Sequence, residues 1–130
     1  VCHMHGRLNQ MLCGHCTSSM HAGEDYDAQT ACPDCGVSGG LRPDVVWFGE
    51  MPYHMEEIEL RLADCDLFIA VGTSGVVYPA AGFVQRALTH GALTVEVNLE
   101  VSDVTGFFHQ QRKGPATLEV TALVDELLGS

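Results

Sequence analysis

Four cysteines in two close pairs constrain this chain more than any other feature. Cys13-Gly-His-Cys16 and Cys32-Pro-Asp-Cys35 are separated by fifteen residues, which fits the C-x2-C-x15–20-C-x2-C spacing of a zinc site. Two cysteines three positions apart can turn both sulfurs toward one point through a tight knuckle. Two knuckles then supply the four thiolates of a tetrahedron with Zn–S bonds of about 2.3 Å. Gly14 and Gly36 allow turns that larger residues resist. Cys13, Cys16, Cys32 and Cys35 are therefore the expected ligands. A closed four-sulfur set leaves no open coordination position, so the zinc is expected to be structural. His15 is expected to point away from the metal, and His21 to lie in a surface loop. Cys2 and Cys65 stand beside apolar residues and read as small buried hydrophobes.

At 130 residues the chain can form one domain with a core, or a core plus a small insertion. Residues 13 to about 40 are small and polar with few large aliphatics, so they cannot fold by apolar burial alone. The expected organisation is a main portion made of residues 1–12 and 41–130, interrupted by a zinc-binding module at 13–40. The formal net charge is -11. That field repels phosphate backbones, so nucleic acid is an unexpected partner, and a cationic peptide suits it better. Leu67 to Val84 is an uncharged run of 18 residues, long enough by count to suggest a membrane span. Gly72-Thr73-Ser74-Gly75 and Tyr78-Pro79 break it, so no membrane partner is expected. With no signal peptide evident, the expected location is cytoplasmic. There disulfides are rare, which sets aside the alternative of two S–S bonds.

VCHMHGRL reads as an opening strand, and LRPDVVWFG as an extended segment ending at Gly49. Glu56 to Ala63 has helical spacing. DLFIAVG is a continuous apolar run of the kind found in strands buried on both faces. Pro79 to His90 predicts a helix with Pro near its start and Gly91 at its end. LTVEVNL predicts the next strand, residues 100–115 an irregular stretch, and Thr117 to Leu128 a closing helix. Alternating strands and helices predict an α/β fold with a parallel sheet. Its ligand side would be the carboxyl ends of the strands, where GTSGVVYP, NLE and FGEM are expected. No G-x-G-x-x-G fingerprint is present, so part of a nucleotide site would lie outside these residues.

His3 and His5 sit two apart, which on a strand places both on one face. The zinc is already saturated by sulfur, so an isolated HxH pair would more often be structural. Its context is informative. HMHGRL, a four-cysteine module, VVWFGE, GTS and NLE follow one another in order along the entire chain. This series resembles the catalytic domain of sirtuins, the NAD-dependent protein-lysine deacylases. The wordings RPDVVWFGEMP, IAVGTSGVVYPAAGFV and VEVNLE resemble its bacterial deacetylase/desuccinylase branch.

The resemblance implies a partial Rossmann-like sheet with NAD as co-substrate, a structural zinc and acyl-lysine proteins or peptides as substrates. It implies that His5, directly before glycine, is the catalytic base, and that Gly72, Thr73 and Ser74 contact NAD. Asn98, Leu99 and Glu100 would hold the adenosine ribose, and Ala116 would lie beside adenine. Val46, Trp47, Phe48, Gly49 and Glu50 would form the segment along which the acyl-lysine peptide lies as an added strand, a mode that tolerates varied sequences. In the family the acyl oxygen attacks C1′ of the nicotinamide ribose and nicotinamide leaves. A base then deprotonates a ribose hydroxyl, which attacks the resulting imidate, and water completes deacylation to O-acyl-ADP-ribose. Histidine suits that base near neutral pH. His3 is expected only to pack nearby, and His54, His90 and His109 to be surface or helix-end residues.

The family's GAGxS turn, its QNxD segment and the Tyr/Arg pair that selects acidic acyl groups have no counterpart in these residues. The chain thus reads as the C-terminal part of a catalytic domain, with weak NAD binding and little turnover expected of it alone. A sheet lacking its first strand would expose an edge and invite self-association. Two other readings compete: a non-catalytic zinc-stabilised module that binds peptide or a partner chain, and an iron-holding, rubredoxin-like electron carrier, since four thiolates also suit iron.

Overall fold

In the computed structural model, which describes residues 1–23 and 25–129, the chain divides into two units, Val1–Met55 and Glu56–Ser130. The first unit is built on an antiparallel sheet. Strands β1 (Gly6–Cys13), β2 (Ser19–His21) and β3 (Leu41–Val45) lie in the order β2-β1-β3. Cys13 pairs with Leu41 at one end of the β1–β3 ladder and Gly6 with Val45 at the other, with a register shift between Arg7 and Met11. Pro43 is tolerated because β3 is an edge strand. This sheet corrects the expectation for FGEM: that stretch follows β3 and does not belong to the parallel sheet.

The expected opening strand also begins later. Residues 1–5 are irregular, and the Gly6 N–H donates to the His3 carbonyl (2.9 Å). His3 and His5 therefore lie in a turn and do not share a strand face; both are exposed. Gly6 has φ +80°, and a Cβ there would stand 2.0 Å from the Asp44 carbonyl oxygen. Only glycine lets β3 approach this turn so closely. The extended stretch 41–49 is shorter than expected. It leaves the ladder after Val45 and turns at Gly49 (φ +87°), with the Glu50 N–H donating to the Trp47 carbonyl at 3.0 Å.

Among the described residues of this unit only Cys13, Cys32 and Asp44 are buried. No large aliphatic side chain forms a core here. Cys2, expected to be buried, is exposed. His21 is exposed, though it ends β2 and is not in a loop.

The second unit carries a parallel sheet of β4 (Leu67–Val71), β5 (Leu93–Asn98) and β6 (Gln110–Lys113), in the order β4-β5-β6. Helix α1 (Met55–Asp64) precedes it. A 3-10 turn at Ala80–Gly82 leads into α2 (Phe83–Thr89), so the expected helix from Pro79 is α-helical only in its second part. Helix α3 (Ala116–Leu128) closes the chain and ends at Gly129 in the left-handed region (φ +70°). β6 lies inside the stretch expected to be irregular. Its sequence, Gln-Gln-Arg-Lys, has no apolar alternation to announce it.

β5 is the central strand, and its two faces differ. Val95 and Val97 pack with Leu123 of α3, flanked by Leu67 and Val120. On the other face Thr94 and Glu96 are buried with polar partners. Thr94 lies between the Phe107 carbonyl (3.2 Å) and His109 Nδ1 (3.0 Å), and Glu96 accepts from the hydroxyls of Thr105 (2.6 Å) and Ser102. Val84, Ala81, Val104 and Phe108 form a second cluster with Phe68 and Ala70. Leu62, Ala87 and Ala92 form a third, against which Cys65 packs. β4 is not buried on both faces as its apolar run suggested. Ile69 is 37% and Val71 45% exposed; they share one face, on which only Leu67 of β4 reaches the cluster under α3. No helix among the described residues is long and apolar enough to cross a membrane.

The Gly6 contact yields a stability prediction. Gly6→Ala is expected to lower stability by about 3 kcal/mol or more, from strain at a positive φ combined with a clash against backbone. A fall in the midpoint of chemical unfolding checks this; an unchanged midpoint would contradict the contact.

Candidate metal centre and active site

The ligand atoms of Cys13, Cys16, Cys32 and Cys35 all lie within 4.8 Å of one another. Cys13 Sγ and Cys35 Sγ are 3.8 Å apart, and Cys16 Sγ and Cys32 Sγ 3.7 Å. A tetrahedron with metal–sulfur bonds of about 2.3 Å has edges of about 3.8 Å. Disulfides need sulfurs about 2.05 Å apart, so neither pair is one. The donor set and its spacing fit zinc.

The two knuckles are built alike. The Thr17 N–H donates to the Cys13 carbonyl (2.9 Å), and the Gly36 N–H to the Cys32 carbonyl (2.8 Å). In each knuckle the residue after the second cysteine takes positive φ, +61° at Thr17 and +74° at Gly36. The expected role of Gly36 fits this geometry. In the first knuckle the special conformation falls on Thr17, and Gly14 has no positive φ. His15 is exposed and stands outside the cluster, its ring beside Gly40.

Ionisation is unequal across the four sulfurs. The Ser18 hydroxyl and backbone pull Cys16 down to about 6. At Cys35 the Val37 amide favours the thiolate, but burial and the three neighbouring sulfurs push it up to about 12. Four thiolates cannot crowd together without a cation to neutralise them, so a divalent metal must displace protons as it binds.

The turn carrying His5 is fixed by main-chain bonds within the same unit. The His5 carbonyl accepts from the Val46 N–H (2.9 Å), and the Met4 carbonyl from the Tyr53 N–H (2.8 Å). Beside it lies a cavity of about 500 Å³, lined by His3, Arg7, Ser19, Asp44, Tyr53 and His54 among others. Asp44 is 5% exposed and accepts from the Tyr53 hydroxyl (2.6 Å) and from Ser19. The hydrogen bond to the Asp44 carboxylate, helped by burial, raises the Tyr53 phenol above its ordinary range.

Beyond Val46 the chain forms an exposed shelf. Trp47 is 55% and Phe48 97% exposed, and Gly49 and Glu50 are exposed as well. The Glu50 carboxylate accepts from the Trp47 N–H (3.1 Å) and from Arg42 at 2.8 and 3.0 Å. The Trp47 amide and Arg42 hold Glu50 below the usual carboxylate range. Arg42, Asp44 and Tyr53 were not singled out from the sequence. Each acts on a residue that only the ladder and the turn bring near it, and no local pattern marks them.

In the second unit three separate stretches meet at the carboxyl ends of β4 and β5. The Gly72 N–H donates to the Val97 carbonyl (2.9 Å), and Asn98 Nδ2 to the Thr73 carbonyl (2.5 Å). The Gly114 N–H donates to the Asn98 carbonyl (3.0 Å), which brings Ala116, the first residue of α3, alongside. Gly72, Thr73 and Ser74 are exposed, as are Leu99, Glu100 and Ala116; Asn98 is half-buried. Gly75 behind them has φ +72°, and a Cβ there would meet Val104 at 2.5 Å. Buried Glu96, through Ser102 and Thr105, anchors the loop that follows Glu100. This anchoring role also went unread from sequence, because Glu96 looks like the solvent-facing residue of an alternating strand.

A model of the Sir2 family matches residues 1–79. A protein of Bdellovibrio bacteriovorus named NAD-dependent protein deacylase is 47% identical over 126 residues, covering 97% of this chain and 53% of that protein. The crystal structure of a Sir2 homolog–NAD complex superposes with a TM-score of 0.86 at 29% identity, over 98% of this chain and 50% of the other. A structure of Sir2 with a p53 peptide and NAD+ superposes with a TM-score of 0.76 at 25% identity, over 97% and 54%. The chain spans about half the length of the curated relatives it matches.

One zinc per chain is the expected stoichiometry by elemental analysis of the purified protein. Cys32→Ser or prolonged chelation should abolish it and unfold residues 13–40, which have little else to hold them. A chelated protein with an unchanged amide spectrum would refute this role.

Proposed function

Because the chain belongs to the Sir2 family, we propose that it carries the base, the peptide-binding segment and part of the nucleotide site of an NAD-dependent protein-lysine deacylase. The observation that carries this reading is the His5–Val46 hydrogen bond of 2.9 Å. It ties the turn bearing the proposed base to the start of the proposed peptide segment.

In this reading NAD supplies the ADP-ribose acceptor, with nicotinamide as leaving group. His5, exposed and fixed by its own carbonyl, accepts a proton from a ribose hydroxyl. Val46, Trp47, Phe48, Gly49 and Glu50 receive the acyl-lysine peptide. Among the described residues the Val46 carbonyl and the backbone groups of Phe48 make no hydrogen bond, which leaves them for a strand added from outside. Gly72, Thr73 and Ser74, together with Asn98, Leu99, Glu100 and Ala116, contact the adenosine half of NAD. Their gathering at the strand ends is the usual ligand position of such a sheet. Zinc at Cys13, Cys16, Cys32 and Cys35 braces residues 13–40 as a module inserted in the NAD-binding portion and performs no chemistry. The acyl range includes acetyl and extends to succinyl. The protein works in the cytoplasm, and the exposed edge of β4 permits self-association.

The test is peptide-dependent release of nicotinamide. The chain is assayed with NAD and an Nε-acetyl-lysine peptide, alone and joined to the part of a matched relative that it does not align with. The joined polypeptide is expected to release nicotinamide only when peptide is present. His5→Ala should cut the rate by about 100-fold or more while leaving zinc content unchanged. No release from the joined polypeptide would overturn the reading.

A further inference from the structure

Arg42 lies on edge strand β3, and its side chain is 23% exposed. Its guanidinium is engaged in three directions. Nη1 donates to the Val45 carbonyl (3.0 Å), and Nη2 to both Glu50 oxygens (2.8 and 3.0 Å). Cζ stands 4.5 Å from the centroid of the Trp47 ring. Glu50 in turn accepts from the Trp47 N–H and donates its own N–H to the Trp47 carbonyl. One cation thus closes a ring around the turn at residues 47–50.

We propose that Arg42 is a positioning residue for peptide recognition: by pinning Trp47 and Glu50 it holds the Phe48–Gly49 backbone in the form that an acyl-lysine peptide pairs with. This rests on the peptide-binding role given above to residues 46–50. Ion pairs this exposed contribute little to overall stability, so the contribution of this one is conformational. Five consecutive residues, four of them exposed, would otherwise have to be ordered by the incoming peptide. Each side chain immobilised on binding weakens association, and a segment already fixed avoids that loss. Arginine is required because the role combines a planar face for the ring with several donors in a rigid fork. Lysine offers a point charge and can satisfy one partner at a time.

The chain contains one tryptophan, Trp47, so its fluorescence reports on this ring alone. The unsubstituted chain, Arg42→Lys, Arg42→Ala and Glu50→Gln are titrated with an Nε-acetyl-lysine peptide, followed by Trp47 emission and by calorimetry. NAD affinity and zinc content are measured on the same samples. Arg42→Ala is expected to weaken peptide binding about tenfold and to shift Trp47 emission to the red. Arg42→Lys and Glu50→Gln should fall between it and the unsubstituted chain, with NAD affinity and zinc content unchanged in all. Should Arg42→Ala fail to fold, the two conservative variants decide the matter. Equal peptide affinity across the folded variants overturns the role of Arg42 and leaves the peptide-binding reading standing. Parallel loss of peptide, NAD and zinc would make Arg42 a fold residue and also overturns it. If the unsubstituted chain binds no peptide, the peptide-binding reading falls, and this role with it.

Discussion

The first unit depends on four sulfur atoms meeting at one point. Among its described residues it buries no large aliphatic side chain, and two of its three buried residues are themselves ligands, Cys13 and Cys32. Burying one Val or Leu contributes about 1.5–3 kcal/mol, whereas a structural zinc contributes on the order of 10 kcal/mol. The metal therefore stabilises this unit more than apolar burial does. Its effect reaches beyond the knuckles. The Gly14 N–H donates to the Gly40 carbonyl (2.8 Å), so the far side of the module returns beside its near side. Cys13 then pairs with Leu41. From that end the β1–β3 ladder runs to Gly6 and Val45, and immediately beyond it His5 meets Val46. The metal centre and the histidine turn sit at opposite ends of one pair of strands. A site with no open coordination position can thus help set the register of the turn that carries His5.

The second unit follows the ordinary logic of an α/β fold. β5 is covered on one face by α3, and on the other it meets a set of polar groups that satisfy one another. Buried Glu96 needs donors, and Ser102 and Thr105 provide them from the loop after Asn98 and Glu100. An uncompensated buried carboxylate would be costly. The same groups that avoid that cost also fix the path of the loop after Glu100.

Much of this was legible in the sequence. Cysteine spacing announced the metal cluster because ligand geometry allows few spacings. DLFIAV and LTVEV announced two parallel strands because apolar runs and turn residues mark them. β6 was hidden, since Gln110–Lys113 pairs through its backbone and its side chains carry no pattern. The antiparallel sheet was hidden as well. β1 includes Leu8 at 81% exposure, so its faces do not separate by polarity. The His3–His5 turn looked like a strand because nothing short of the Asp44 approach reveals that Gly6 must take positive φ. Arg42 and Glu50 lie eight residues apart, and only the turn at Gly49 brings them together.

Asn98 has a consequence of its own. Its carboxamide spans from the end of β5 to the carbonyl of Thr73 while its backbone carbonyl receives Gly114. Three chain segments distant in sequence share this residue as a common hinge pin. Truncating its side chain would release the Thr73 carbonyl from the end of β5 but spare the Gly114 contact, which the backbone makes.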